Sequence, residues 1–444
     1  MSYANKKIAV LGAGESGESA ALLLTEEGAA VTILDTADES ALRRRIDALG
    51  VRGIRFLVGP AALREPEAFD LAVLSPGIDP AAPLVQNFIR KRIAMIGEIE
   101  LAYEWCKCPI IGVTGTNGKT TTTQLIAQML NACGVRTLAA GNIGPAFSAR
   151  VKESENLDVM TLELSSFQLE SIRRFHAQTA VWLGFAADHL DRYASIEEYR
   201  RAKLRIFENQ TADDWAIVNF RDTLPELRAR KITFSAFTTG ADFDLREGVI
   251  HFRGEPVLAM SDTRLRGAHN AENLMAALAV GHARGLNFDA MRAPLREYVP
   301  LPHRCEPVRV LDGVEWINDS KGTNPDAVEK ALLSESRPVV LIAGGKDKGF
   351  EYEMLTELVA QKCRAVVTLG EMADRIEALW KDRLPIRNAG RSLETAVQFA
   401  RELAQPGDAV LFSPGTSSFD MFKNYAERGN SFRALVQNLK PNTP

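Results

Sequence analysis

The sequence predicts an α/β protein of three parallel-sheet domains. Short β-branched apolar runs repeatedly end in a glycine-bearing turn that opens a helical pattern, as buried parallel strands with crossover helices do. These runs fall into three series. A length of 444 residues also exceeds one core, since domains commonly hold about 100–200 residues.

The first series holds Ile8–Leu11 into Gly12, Ala30–Leu34 into Asp35, and Leu71–Leu74 into Ser75-Pro76-Gly77. Ala20, Leu23 and Leu24 share one face of a predicted helix over Ser19–Glu27, with Gly28 as its stop. The second series holds Ile110–Val113, Asp158–Leu164, Thr179–Phe185 and Trp215–Asn219, with an amphipathic helix over Ile196–Glu208. The third holds Val339–Ala343 into Gly344-Gly345, Ala365–Leu369 into Gly370, and Ala409–Phe412 into Ser413-Pro414-Gly415. A helix-like Glu98–Tyr103 stretch follows Gly97, and a Pro-containing Pro300–Pro307 segment precedes the third series. Linkers there divide the chain into 1–97, 98–300 and 301–444.

Composition excludes several classes. Lys+Arg 53 against Asp+Glu 57 leaves no positive excess for nucleic acid or an anionic membrane. The five cysteines form no C-x-x-C pair, so a disulfide framework or zinc site is not expected. The apolar run at Ile8–Leu11 breaks at Gly12, which argues against a signal peptide, and the other apolar runs fall far short of the roughly 20 residues of a membrane span.

The strongest chemical signal is Gly115-Thr116-Asn117-Gly118-Lys119-Thr120, directly after a predicted strand and opening a helix that continues Thr121-Thr122. Backbone N–H groups of such a loop cradle phosphates at a helix N-terminus. Lys119 then neutralises the outer phosphate oxygens and the Thr120 hydroxyl can ligate Mg²⁺. Val113 stands where the general phosphate-loop pattern needs its first glycine, so this is a shortened variant of a nucleoside-triphosphate loop. Glu163 ends the Asp158–Leu164 run and can reach the same metal if the strands are neighbours. His189, within Asp188-His189-Leu190-Asp191, follows another run. Lys203, by its residue pattern alone, reads as a solvated helix lysine.

Gly12-Ala13-Gly14-Glu15-Ser16-Gly17, with Asp35 ending the second run, fits a dinucleotide fingerprint, which NAD or FAD enzymes, nucleotide-sugar binders and non-binding domains all carry. In the third series Asn318–Asn324, Gly344–Gly349 and Ser413–Asp420 form three donor-rich loops after strands. They suit an anionic ligand.

Taken together these stretches resemble the Mur ligases, ATP-dependent amide-bond-forming enzymes of peptidoglycan precursor synthesis. The resemblance runs over essentially the whole chain and rests on Gly115–Thr120, Asp188–Asp191, His269-Asn270-Ala271-Glu272-Asn273 and Asp319-Ser320-Lys321. Leu74–Ile78, Leu301–Arg304, Ile317–Pro325 and Leu411–Gly429 resemble the branch that adds D-glutamate to UDP-N-acetylmuramoyl-L-alanine.

The resemblance implies an N-terminal Rossmann-like domain, a central phosphate-loop ATPase sheet and a C-terminal Rossmann-like domain. It reverses the reading of Lys203, implying a carbamylated lysine that joins His189 in holding a second Mg²⁺ while Thr120 and Glu163 hold the first. It turns the fingerprint toward a uridine diphosphate, with Glu15, Ser16, Asp35, Thr36 and Gly77 as candidate contacts and Asn142 and His189 reaching the sugar or diphosphate. Asn273, Arg304 and Asp319 are the implied further ATP contacts. Lys321, Thr323, Lys348, Ser418, Phe419 and Tyr425 are the implied D-glutamate contacts. Lys346 departs from the family's usual residue beside that site. A cytoplasmic monomer acting on three small substrates is expected, with no nucleic-acid or membrane partner. The rivals are a ligase of the same superfamily with another acceptor, a nicotinamide or flavin oxidoreductase, and a non-catalytic nucleotide-binding scaffold.

Overall fold

A computed structural model describes residues 3–64, 68–188, 192–349 and 351–441. The chain divides into two compact units. One comprises Met1–Phe185, Glu197–Phe234 and Leu274–Leu295, the other Ala186–Ile196, Ser235–Asn273 and Arg296–Pro444.

The first unit contains a five-stranded parallel sheet, β1 (Lys7–Leu11), β2 (Ala30–Asp35), β3 (Arg55–Val58), β4 (Leu71–Leu74) and β5 (Met95–Gly97), in the order β3-β2-β1-β4-β5. The order reverses between β1 and β4, and the carboxyl ends of all five strands lie along one edge, where open α/β sheets hold their ligands. The helix after β1 spans Glu15–Glu26, four residues earlier than the apolar face suggests, because the fingerprint glycines themselves lead into it. A Cβ on Gly17 would lie 1.9 Å from the Gly12 carbonyl oxygen, so only glycine permits this approach of helix to turn.

The same unit holds β6 (Ile110–Thr114), β7 (Thr137–Gly141), β8 (Val159–Glu163), β9 (Thr179–Trp182), β10 (Trp215–Asn219) and β11 (Arg230–Ser235). They pair in parallel in the order β7-β8-β6-β9-β10-β11. Every residue of β6, β8 and β9 is buried, which explains their unbroken apolar runs.

In the second unit β12 (Phe243–Arg246), β13 (Val249–Phe252) and β14 (Glu255–Ala259) form an antiparallel meander. A further sheet is built from β15 (Glu306–Leu311), β16 (Val314–Asn318), β17 (Val339–Gly344), β18 (Cys363–Leu369), β19 (Ile386–Asn388) and β20 (Ala409–Phe412), in the order β15-β16-β20-β17-β18-β19. The Pro300–Pro307 segment, expected as a linker, instead runs into β15, which pairs antiparallel with β16. The remaining pairs are parallel. Apolar cores fill both faces of this sheet, one around Trp316, Phe412 and Phe432 and one around Leu341, Tyr352 and Trp380. No helix among the described residues is long and apolar enough to cross a membrane.

Candidate active site

The phosphate loop grows out of an interior strand of its sheet. β6 lies between β8 and β9, with Val113 level with Glu163 and Thr114 level with Trp182. The chain leaves β6 at Gly115 with φ +148°, and a Cβ there would stand 2.9 Å from Leu183 Cβ. Glycine is required by both conformation and space. Gly118 at φ 84° caps the helix Lys119–Ala132, so the loop's N–H groups meet the positive end of the helix dipole. Lys119 Nζ donates to the carbonyls of Gly115 (3.0 Å) and Thr116 (2.9 Å), and Thr116 N–H donates to Gly184 O at 3.0 Å. The loop therefore holds its lysine across its own mouth.

Glu163, expected beside Thr120, sits at the end of β8, neighbouring the loop-bearing strand, and is 2% exposed. Its Oε1 accepts from Asn142 Nδ2 at 2.7 Å, and its buried Oε2 has no hydrogen-bond partner. A buried carboxylate oxygen without a donor costs stability unless a cation or donor arrives. Asn142 is also bound through its N–H to Glu163 O at 2.9 Å. Its sequence-based assignment to the sugar gave no hint of this brace.

Lys203 lies in the helix Ile196–Leu204, shorter than the expected Ile196–Glu208 because Arg205–Phe207 tightens into a 3₁₀ turn. The lysine is not solvated. It is 1% exposed, donates from Nζ to Gly115 O at 2.8 Å, and stands 4.7 Å over the ring of Tyr199. The residue pattern misled because the apolar count on that helix ignores a buried cation. Tyr199, whose hydroxyl lies 3.4 Å from Thr116 Oγ1, was not anticipated at all. His189 lies outside the described residues. Among those described, no group of three or more His, Cys, Asp or Glu forms a metal cluster.

In the five-stranded sheet, Gly12–Gly17, Asp35-Thr36 and Gly77 follow β1, β2 and β4 at the shared carboxyl edge. Asp35 shapes that edge, since Oδ2 accepts from Ala13 N–H (2.7 Å) and Oδ1 from Ala37 N–H (2.8 Å). Glu15 and Thr36 are exposed there and Ser16 is half-buried.

In the second unit the Asn318–Asn324, Gly344–Gly349 and Ser413–Tyr425 loops follow β16, β17 and β20, which are sheet neighbours. Their centre is Arg428, 2% exposed, on the helix Tyr425–Asn438. Its Nε donates to Ser320 Oγ (3.0 Å), Nη2 to Ser320 O (2.8 Å) and Nη1 to Thr416 O (3.1 Å). Burial lowers its pKa to about 10, so it remains a cation at neutral pH. Asp319 accepts from Ser413 Oγ at 2.7 Å and from Cys305 N–H at 3.2 Å. Burial raises its carboxyl to about 6 against the lowering effects of those donors and Arg304. Lys321 Nζ stands 3.8 Å over the Tyr425 ring, and Lys348 Nζ lies 3.8 Å from Asp188 Oδ1. Ser418 is buried and Phe419 is 67% exposed. Thr323 is half-buried in the first loop. Lys346 is exposed, while its backbone binds Ser417 O through N–H and accepts from Thr416 Oγ1. Asn273 is buried on the helix Ala268–Ala283, donating to Asn270 Oδ1 at 3.1 Å, and Arg304 lines a small cavity with Arg266 and Glu335.

His303, Asn318 and Gly429 form the second pillar of these loops. Asn318 Nδ2 bonds His303 Nδ1 (2.9 Å) and Gly429 O (3.1 Å), and a Cβ on Gly429 would fall 2.3 Å from His303 Nδ1. Arg428 and Gly429 lie inside the Leu411–Gly429 stretch that the sequence singled out, but nothing in the spacing assigns them these jobs.

Comparison with known proteins bears on all three sheets. The Mur ligase MurD-like N-terminal domain matches residues 6–97, the Mur ligase middle domain 113–281, and the Mur ligase glutamate ligase domain 303–415. The UDP-N-acetylmuramoylalanine–D-glutamate ligase of Geotalea uraniireducens is 42% identical over 450 residues, spanning 99% of each chain. That of Pelobacter propionicus is 41% identical over 448 residues, spanning 99% of this chain and 100% of the relative. Among solved structures, UDP-N-acetylmuramate-alanine ligase of Thermotoga maritima aligns with a TM-score of 0.63 at 18% identity, covering 98% and 100% of the two chains. MurF ligase of Thermotoga maritima, in complex with ADP, aligns at 0.57 and 18% identity, covering 85% and 98%. At such identities these structures speak for the shared fold.

Proposed function

The chain belongs to the Mur ligase family, and from that premise we propose that it joins the amine of D-glutamate to the carboxyl of UDP-N-acetylmuramoyl-L-alanine at the expense of ATP. The observation that carries this reading is identity of about two residues in five with D-glutamate ligases over essentially the entire chain. Residues 1–97 take the UDP substrate, 98–300 take ATP, and 301–444 take D-glutamate.

The substrate carboxylate must attack the γ-phosphate of ATP, which brings two anions together. Lys119 and the N–H groups of Gly115–Thr120 lie where the phosphates would sit. They hold the transferring group and offset its charge. The resulting acyl phosphate is attacked by the amine of D-glutamate, giving amide, ADP and phosphate. Lys321, Lys348, Ser418 and the Ser413–Asp420 backbone orient the carboxylates of D-glutamate, with Thr323, Phe419 and Tyr425 beside them. Asp319 positions the ribose, with Asn273 and Arg304 nearby. Glu15, Ser16, Asp35, Thr36 and Gly77 hold the uridine diphosphate at the edge between β1 and β4.

Mg²⁺ fits the residues present, since the unpartnered Oε2 of Glu163 lies on the strand beside the phosphate loop and Thr120 supplies a hydroxyl. When bound, the cation supplies further charge screening to the phosphoryl transfer. A second ion would take His189 and a carbamylated Lys203. Carbamylation leaves one N–H on Nζ, so the bond to Gly115 O survives the modification, while the cation over Tyr199 is lost.

An acceptor panel tests the proposal by phosphate release with UDP-N-acetylmuramoyl-L-alanine, ATP and each amino acid in turn. D-glutamate should exceed every other acceptor, and faster turnover with L-alanine or a diamino acid would sink the assignment. For Lys203, activity should rise with added bicarbonate and disappear in Lys203→Ala. A fully active Lys203→Ala enzyme removes the metal-ligand role.

A further inference from the structure

The chain between the helix Glu98–Tyr103 and β6 carries Cys106-Lys107-Cys108 in irregular backbone, four residues before the strand that supports the phosphate loop. The ligation as proposed above uses neither thiol. Both are half-buried, with Lys107 exposed between them. Cys106 Sγ lies 3.3 Å from Cys108 O, so its sulfur is folded back over residue 108. Lys107 N–H donates to Ser154 Oγ at 2.9 Å, which pins the middle of the tripeptide. The other cysteines contrast with this pair. Cys363 is buried, and Cys133 and Cys305 have no cysteine near them in sequence.

We propose that Cys106 and Cys108 are a peroxide-sensitive dithiol that closes reversibly to an intramolecular disulfide, with Cys106 as the attacking and Cys108 as the resolving sulfur. The Cys106 sulfur attacks one oxygen of hydrogen peroxide. The O–O bond breaks, an S–O bond forms, and hydroxide leaves. The Cys108 thiol then attacks the sulfenic sulfur. An S–S bond replaces the S–O bond, and the Cys108 proton leaves with the hydroxyl as water. The two sulfurs give up two electrons and the peroxide accepts them.

The order of attack follows from the local field. A hydrogen bond from the Cys108 thiol is the chief influence that lowers Cys106 to about 7, helped by its backbone, the Ser154 hydroxyl and the Lys107 charge and opposed by burial. Cys108 is raised, first by that same bond and then by burial. A thiol lowered in this way carries more thiolate at neutral pH than an ordinary one, and the thiolate is the nucleophile. A free dithiol of this kind is compatible with a reducing compartment, because reduction by a small thiol reopens it.

Lys107 makes the test simple. Trypsin cuts after it, so the peptides carrying Cys106 and Cys108 separate in the reduced protein and stay joined only through an S–S bond. The full-length protein is treated with hydrogen peroxide at equimolar and tenfold ratios, residual thiols are alkylated, and digests are read by mass. Expected are joined peptides 2 Da lighter than the sum of the separate reduced peptides, lost after dithiothreitol and absent in Cys106→Ser and Cys108→Ser. Alkylation of Cys106 at pH 7 should be roughly tenfold slower in Cys108→Ala, which removes the donor, than in the parent. Peroxide that leaves the two peptides separate, or that carries Cys106 to sulfinic acid without joining, overturns the proposal. So does an alkylation rate indifferent to Cys108. None of these readouts uses ligase turnover, so the result stands apart from the substrate assignment.

Discussion

The phosphate loop after β6 and the loop cluster after β16, β17 and β20 both gather donors at the carboxyl ends of parallel strands, yet they are held in opposite ways. The first is local. Gly115 to Thr120 are consecutive, and Lys119 bonds carbonyls three and four residues back. The second is assembled from afar. Arg428 ties Ser320 to Thr416 from a helix of its own, across sequence separations of 108 and 12 residues. A mainly local site is fragile chiefly at its own residues, although Lys203 and Gly184 bond Gly115 O and Thr116 N–H from afar. A gathered site fails wherever one tie fails.

Lys119→Ala should break the first site without touching its scaffold. ATP-dependent ligation should fall at least about 10³-fold, equivalent to about 4 kcal/mol of barrier, with unchanged thermal stability and unchanged binding of the UDP substrate by calorimetry. Residual activity within tenfold of the parent would deny Lys119 the phosphate role. Arg428→Met should do the reverse, acting on structure first. Three acceptors on Ser320 and Thr416 would be left buried without a donor, and the unit holding β15–β20 should lose about 3 kcal/mol in urea unfolding. ATP binding through the phosphate loop should survive at subdenaturing urea. If stability is unchanged and only D-glutamate affinity falls, Arg428 is a ligand contact and the gathered site is less dependent on its ties than described.

Asp319 extends the contrast to pH. Its carboxyl sits at about 6 in the folded chain, above its ordinary range, because burial favours the protonated form. A raised folded value gives stability that is present below the unfolded value near 4 and lost as pH rises through about 6. Asp319→Asn should abolish that loss, so the parent should become less stable relative to the variant between pH 4 and 7, by at most about 3 kcal/mol in urea unfolding. Parallel curves across that window would mean that donors and Arg304 offset burial at this site.

What the sequence revealed follows the same division. The fingerprint turn, the phosphate loop and the buried runs of β1, β2, β6, β8 and β9 are contiguous, and their chemistry can be read from neighbours. The meander β12–β14 was missed because its turns carry Glu247-Gly248 and Arg253-Gly254, with positive φ at both residues of each, rather than the Asn-Gly or Asp-Gly that advertises a two-residue hairpin. The hairpin β15–β16 did advertise itself through Asp312-Gly313, also positive in φ, but the three prolines of Pro300–Pro307 suggested a linker. Lys203 was readable only through family resemblance. Its burial depends on Tyr199 and Gly115, and its own helix says nothing of Gly115, 88 residues away.

The mildest probe of the comparison is Gly429→Ala. Alanine favours the helix Tyr425–Asn438 by about 1 kcal/mol over glycine, so a purely local account predicts a stabilised protein. The gathered account predicts the opposite, because the new Cβ would lie 2.3 Å from His303 Nδ1 and His303 must yield. His303 is itself held at φ 67° and bonded to Asn318, the residue immediately before Asp319. Displacement should therefore pass to the Asp319–Lys321 segment, with a net destabilisation of about 1 kcal/mol once helix propensity is subtracted from overpacking. The Michaelis constant for D-glutamate should rise severalfold, while loading of the phosphate loop, read by ADP binding, stays within error. Pairing the change with His303→Ala removes the obstructing ring. Recovery of stability in the double variant relative to His303→Ala alone would locate the penalty in that one contact, and equal penalties in both backgrounds would place it elsewhere.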